Sequence, residues 1–165
     1  MIDHQYSILS FGAGAIGTYI GGSLALNNHN VVFIEQPEIV HVIREQGLIL
    51  NLDSKELRVP NPVIFDSLPE ALSSNQFDFA LFAVKSYDTQ TALEQMLPFK
   101  RDIPPLLCLQ NGVENESAIE KSLGKSKVIA GTVTSAVGKL AAGHIILEKK
   151  RGSVSPVCTA YPQYY

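Results

Sequence analysis

The chain has 165 residues, 45% of them hydrophobic and 18% charged, with a net charge of −3. That describes one globular domain with an apolar interior, and the weak negative charge excludes a general attraction to nucleic acid or anionic membrane. No apolar run approaches the ~18 residues needed to span a bilayer, and the start, MIDHQYS, lacks the basic and apolar parts of a signal peptide.

Strand-like and helix-like patterns then alternate. Residues 6–11 read as a strand, followed at once by a helix with Ile16, Ile20 and Leu24 on one face. NVVFIE, residues 30–35, is a β-branched strand ending on an acid. Pro37 opens a helix running to about Gln46, and Gly47 ends it. LILNLDSKELRV predicts two short strands about a turn at Asp53-Ser54, and a short helix is expected near Pro69 to Leu72. FDFALFAV, residues 77–84, is apolar on both faces, as a central parallel strand requires. A helix from about Thr89 to Leu97 follows, then the buried strand PLLCLQNG and a helix over 115–122. KVIAGTVTSAVG reads as extended, and residues 143–149 as one more strand. This alternation predicts an α/β fold, a Rossmann-type, doubly wound, mainly parallel sheet with helices on both faces. Residues 151–165 show neither period and read as a linker or tail, which leaves 1–150 as the domain.

The joint between the first strand and the first helix reads GAGAIG, with Gly12, Gly14 and Gly17 in the order G-x-G-x-x-G. In that context Gly12 allows the tight turn, Gly14 lets the backbone approach a pyrophosphate, and Gly17 lets the helix pack on the strand. The positive end of the helix then faces the phosphates. Glu35, at the end of the second strand and about twenty residues on, is the acid that accepts from a ribose 2′-hydroxyl. The glycines are therefore read as holding a dinucleotide.

Ligands of such sheets bind beyond the carboxyl ends of the strands, and two more strands end in polar residues. Lys85 follows Val84 directly, and Gln110 and Asn111 follow Leu109. Lys85 supplies a cation for phosphate, carboxylate or a ketone oxygen; the competing reading is a solvated lysine opening a helix. Asn111 has a donor and an acceptor to fix a substrate or an amide, although Asn111-Gly112 is also a strong turn signal. Ser86, Tyr87 and Asp88 read as a helix cap. His4, His29, His41 and His144 lack metal-like spacing and read as surface residues, and no metal is expected. Cys108 reads as a small core residue and Cys158 as a free thiol of the tail; two distant cysteines make no disulfide framework. The cytoplasm is the expected compartment.

With GAGAIG, VKSYDT and QNGVENE in this order, residues 5–150 resemble the cofactor domain of the ketopantoate reductase (2-dehydropantoate 2-reductase) family. The resemblance implies reduction of a 2-keto acid to a 2-hydroxy acid by NADPH, in pantothenate synthesis. It implies that Gly12, Ala13, Gly14, Ala15, Ile16 and Gly17 form the pyrophosphate loop. It also implies that Lys85 is catalytic beside nicotinamide and substrate, and that Asn111 binds cofactor or substrate. The chain departs from the family in two ways. Where NADPH users carry an arginine, it reads Ile34-Glu35-Gln36-Pro37, which argues for NAD; the next cation in sequence is Arg44. The family's carboxyl-terminal helical domain, with its catalytic lysine, has no counterpart in residues 151–165, so a shortened chain with an exposed apolar face, prone to form homo-oligomers, is expected. The alternatives are an NAD-dependent dehydrogenase of another small 2-keto or 2-hydroxy acid, and a dinucleotide-binding module without turnover.

Overall fold

The structure, a computed structural model, describes residues 4–85, 88–109 and 114–151. Its first unit is the strand β1 (Ser7–Phe11), the helix α1 (Ala15–Leu26) and the strand β2 (Asn30–Ile34). The helix α2 (Pro37–Gln46) follows, opened by its proline and ended at Gly47 with φ 74°. Then come β3 (Leu48–Leu52), β4 (Lys55–Val59) and β5 (Val63–Phe65). The second half holds α3 (Leu68–Ser74), β6 (Phe79–Phe82), α4 (Thr89–Met96), β7 (Leu106–Cys108), α5 (Glu114–Leu123) and β8 (Val128–Ala130). A hairpin of β9 (Ala136–Ala141) and β10 (His144–Lys149) is the last element of the described residues.

Six strands form one sheet in the order β5-β2-β1-β6-β7-β8, and every pairing in it is parallel. The chain winds outward from β1 to β2 and β5, then returns to β6 on the other side of β1. The point where the winding reverses therefore lies between β1 and β6, where the carboxyl ends of adjacent strands diverge and leave a crevice. Helices α3, α4 and α5 cover one face through Ala71, Leu93, Met96, Ile119 and Leu123. Helices α1 and α2 cover the other through Ile16, Ile20, Leu24, Val40 and Ile43. The α/β reading with helices on both faces is the architecture observed.

Two features of the sequence organise differently from the expectation. Residues 143–149 do contain a strand, but β10 joins a second sheet, not the parallel one. That sheet is mixed and runs β4-β3-β10-β9, with β3 parallel to β10 and the two flanking pairs antiparallel. The stretch expected to be extended through 127–138 is interrupted: β8 ends at Ala130 and β9 begins at Ala136. The second sheet lies on the outer side of α1, which is thus held between two sheets. A Cβ on Gly21 would lie 2.7 Å from the Phe33 ring of β2, and one on Gly22 would lie 3.0 Å from Leu50 of β3. Adjacent glycines let both sheets approach the same helix.

Candidate functional site

The glycine loop divides its work among its three glycines. Gly12 has φ 95°, a backbone region that L side chains rarely adopt, and donates its N–H to the Ile34 carbonyl at 3.0 Å. At Gly17 an added Cβ would sit 2.0 Å from the Gly12 carbonyl oxygen, so no larger residue lets α1 start so close to the turn. Gly14 differs: a Cβ there would meet nothing within 4 Å. Its neighbourhood is open space, where a bound group can come up to the backbone. Ala15 and Ile16 begin α1, whose first N–H groups have no preceding carbonyl within the helix.

Two residues that the motif does not name set the loop. The Ser10 hydroxyl donates to the Gly12 carbonyl at 3.1 Å, and the Thr18 hydroxyl donates to the Ala13 carbonyl at 2.9 Å. Both side chains are fully buried, and they hold these carbonyls on the protein side of the turn. Their signal in the sequence was a hydroxyl on each side of GAGAIG at positions otherwise apolar, since buried hydroxyls need partners.

Glu35 stands at the end of β2, half-buried, and points back to the loop. Its Oε2 accepts the Ala13 N–H at 2.8 Å and its Oε1 accepts the Gln36 N–H at 3.1 Å. The carboxylate is therefore fixed beside Gly12 and Gly14. Arg44 is occupied elsewhere: its guanidinium donates to the Ile64 carbonyl at 2.8 Å.

Two adjoining hollows of ≈ 240 and ≈ 270 Å³ open over the carboxyl ends of β1, β2 and β6. Gly12, Glu35, Gln36, Val84 and Asp88 line both. Gly14, Lys85 and, from the second sheet, Lys139 line the second. The crevice thus brings together four of the residues singled out in the sequence: Gly12, Gly14, Glu35 and Lys85. Ala13 is buried beneath it. Asn111 and Gln110, like Ser86 and Tyr87, lie outside the described residues. Asp88 takes the N-cap position of α4 without a side-chain cap bond, and its N–H donates to the Lys85 carbonyl at 2.9 Å. Larger depressions around Arg101 and Lys127 sit at the amino ends of β7 and β8, the end of a parallel sheet that does not carry ligands.

Other candidates separate from the crevice. Cys108 is buried in the core, and burial, assisted by the carboxylates of Glu116 and Glu120, pushes its thiol up to about 12. It is no nucleophile at neutral pH. His29 and His144 are not simple surface residues: His29 Nδ1 accepts the Tyr6 N–H at 3.2 Å, and His144 Nε2 pairs with the Asn51 amide at 3.1 Å.

The profile of the family described as "Ketopantoate reductase PanE/ApbA" matches residues 8–155. The chain belongs to that family. The 2-dehydropantoate 2-reductase of Pyrococcus abyssi is 32% identical over 94% of this chain and 48% of its own length. That of Lactococcus lactis is 31% identical over 73% of this chain and 38% of its own. Among solved structures, a PanE/ApbA family ketopantoate reductase from Ralstonia eutropha superposes with a TM-score of 0.74 at 36% identity, over 89% of this chain and 48% of that one. A D-mandelate dehydrogenase solved with NADH and anilino(oxo)acetate superposes equally well, 0.74 at 27% identity, over 90% and 47%. The chain spans less than half the length of these curated relatives. No helix among the described residues is long and apolar enough to cross a membrane.

Proposed function

We propose that residues 1–150 are the nicotinamide-dinucleotide-binding domain of a cytoplasmic oxidoreductase that reduces 2-dehydropantoate (ketopantoate) to pantoate, in pantothenate synthesis. The observation that carries this reading is the open space over Gly14, bounded by the fixed Glu35 carboxylate and by Lys85 at the next strand end. A dinucleotide fits this donor set: Gly12 and Ala13 shape the turn, the backbone N–H groups from Gly14 to Gly17 take the phosphates, and Glu35 takes a ribose hydroxyl. A reduced nicotinamide bound here supplies a hydride to a 2-keto carbon.

The chain's own residues then bind and orient. Glu35 carries a charge that repels a 2′-phosphate, and the only arginine near it in sequence, Arg44, is committed to Ile64; this supports NAD(H) over NADP(H). Lys85, exposed at the crevice, is assigned to the carboxylate or ketone oxygen of the substrate, and Asn111 to substrate or nicotinamide amide. The developing alkoxide also needs a proton donor, which we assign to the part of the family fold beyond residue 150.

A second reading has one specific support, the equal superposition of the D-mandelate dehydrogenase: the substrate is then another small 2-keto or 2-hydroxy acid. Titration with NADH and NADPH by nicotinamide fluorescence tests the cofactor assignment, and oxidation of the bound cofactor with ketopantoate or phenylglyoxylate tests the substrate. We expect binding with NADH preferred. Turnover by the 165-residue chain alone is expected at least 10²-fold below the enzyme median of ~10 s⁻¹, the loss typical of a missing general acid. Failure to bind either dinucleotide refutes the reading.

A further inference from the structure

We propose that Lys139 is a second cation of the cofactor site, beside Lys85, and pairs with the dinucleotide pyrophosphate, a role that rests on the dinucleotide reading above. Lys139 belongs to β9, an edge strand of the second sheet, far in sequence from the glycine loop. It nevertheless lines the same hollow as Gly12, Gly14 and Glu35. Strand register explains how it gets there. Lys139 is paired with Ile145 of β10, and directly opposed residues of a ladder share a face. Ile145 is only 1% exposed and packs into the core around α1, as does Val137, two residues before the lysine. Lys139 thus stands on the inward face of the sheet.

A register irregularity fixes that direction. The partner of His144 is Ala141, whereas the partner of the next residue, Ile145, is Lys139, so Leu140 is the extra residue of a bulge. Bulges re-aim side chains. Leu140 is 55% exposed, and Lys139, itself exposed, lies on the face that carries Ile145. A charge on the apolar face of an edge strand needs a reason. Among the described residues Lys139 makes no hydrogen bond and no ion pair within 4.0 Å, although Glu35 and Asp88 line the same hollow. Protection of the edge against strand pairing is one general reason, but it does not select a position over Gly14. A pyrophosphate does: it is doubly negative, it belongs where the Gly14 backbone is open, and α1 offers no charged residue of its own.

The test titrates the 165-residue chain, its Lys139→Gln and its Lys139→Arg variants with NADH and NADPH, read by nicotinamide fluorescence. The expected result is a parallel loss for both dinucleotides in Lys139→Gln, about tenfold in Kd and equivalent to ~1.4 kcal/mol. Lys139→Arg keeps the charge and should stay within about threefold of the parent. The Kd of the parent should also rise more steeply with salt than that of Lys139→Gln, because the variant makes one fewer ionic contact. Thermal unfolding separates this from misfolding: substitution at an exposed edge position should leave the unfolding midpoint unchanged. Unchanged affinity in Lys139→Gln overturns the proposal, and so does a loss confined to NADPH, which would place the lysine on a 2′-phosphate. A parent chain that binds neither dinucleotide overturns the dinucleotide reading itself; a parent that binds beside an undiminished Lys139→Gln overturns only the role of Lys139.

Discussion

Helix α1 differs in character from the helices on the opposite face of the parallel sheet. On one face α4 and α5 are amphipathic: Leu93, Met96, Ile119 and Leu123 point into the core, while Gln90, Glu94 and Lys121 face outward. On the other face α1 reads AIGTYIGGSLAL, without one charged residue, because a second sheet covers its outer side. A helix open to water on one side can shift along its packing face at modest cost. A helix clamped between Phe33 and Leu50 through Gly21 and Gly22 cannot, because interiors are close-packed and resist added volume. The clamped helix is the one that carries the glycine loop. The comparison teaches that the helix carrying the glycine loop is packed on two sides, whereas Lys85 lies between β6 and a helix packed on one.

The sharpest way to break that comparison is at Gly17. Gly17→Ala puts a methyl 2.0 Å from a backbone carbonyl that Ser10 also holds, so the turn must move. We expect stability in urea to fall by about 3 kcal/mol, the upper range for overpacking, with dinucleotide binding lost. Gly21→Ala tests the clamp away from the loop. Its Cβ would press on Phe33 at 2.7 Å, and a loss of about 1–2 kcal/mol is expected. Gln90→Ala, on the outer side of α4, should stay within about 0.5 kcal/mol. Equal effects at Gly21 and Gln90 would show that α1 is no more constrained than α4.

Gly14→Val separates rigidity from binding. Its surroundings are open, so stability should hold, while the branched side chain fills the space a pyrophosphate needs. The Kd for NADH should rise at least tenfold, about 1.4 kcal/mol. Glu35→Gln keeps an oxygen to accept the Ala13 N–H but removes the charge. The ratio of NADPH to NADH affinity should then rise by roughly five- to tenfold, or about 1 kcal/mol.

The smallest effect concerns Cys108. Its thiol is raised to about 12 in the folded chain from the ordinary 9.0, so above pH 9 the unfolded chain releases a proton that the folded one retains. This contribution to stability is complete below pH 9 and declines as pH rises from 9 toward 12. Denaturation midpoints should fall over that window, and Cys108→Ala should flatten the decline. Native Cys108 should also resist thiol reagents at pH 8, whereas the unfolded chain reacts.

The parts legible in the sequence are those set by neighbouring residues. Pro37 and Gly47 bounded α2 because proline fits a first helical turn and glycine tolerates the positive φ that ends it. The Asp53-Ser54 turn was legible because both positions take positive φ between two alternating strands. Gly12, Gly14 and Gly17 announced a βα turn because their spacing is that of the turn's own backbone. Other features depend on which distant segments meet. Nothing in HIILEK says that β10 will pair with β3 of residues 48–52 and not with the parallel sheet, since both environments accept the same apolar strand. The uncharged α1 becomes intelligible only once that second sheet lies over it. Lys139 reads as an ordinary exposed lysine, because its direction depends on a bulge, and a bulge is a property of two strands in register. The sequence by itself determined most of the elements, the glycine turn and the acid at Glu35; long-range pairing alone decided which walls the crevice has.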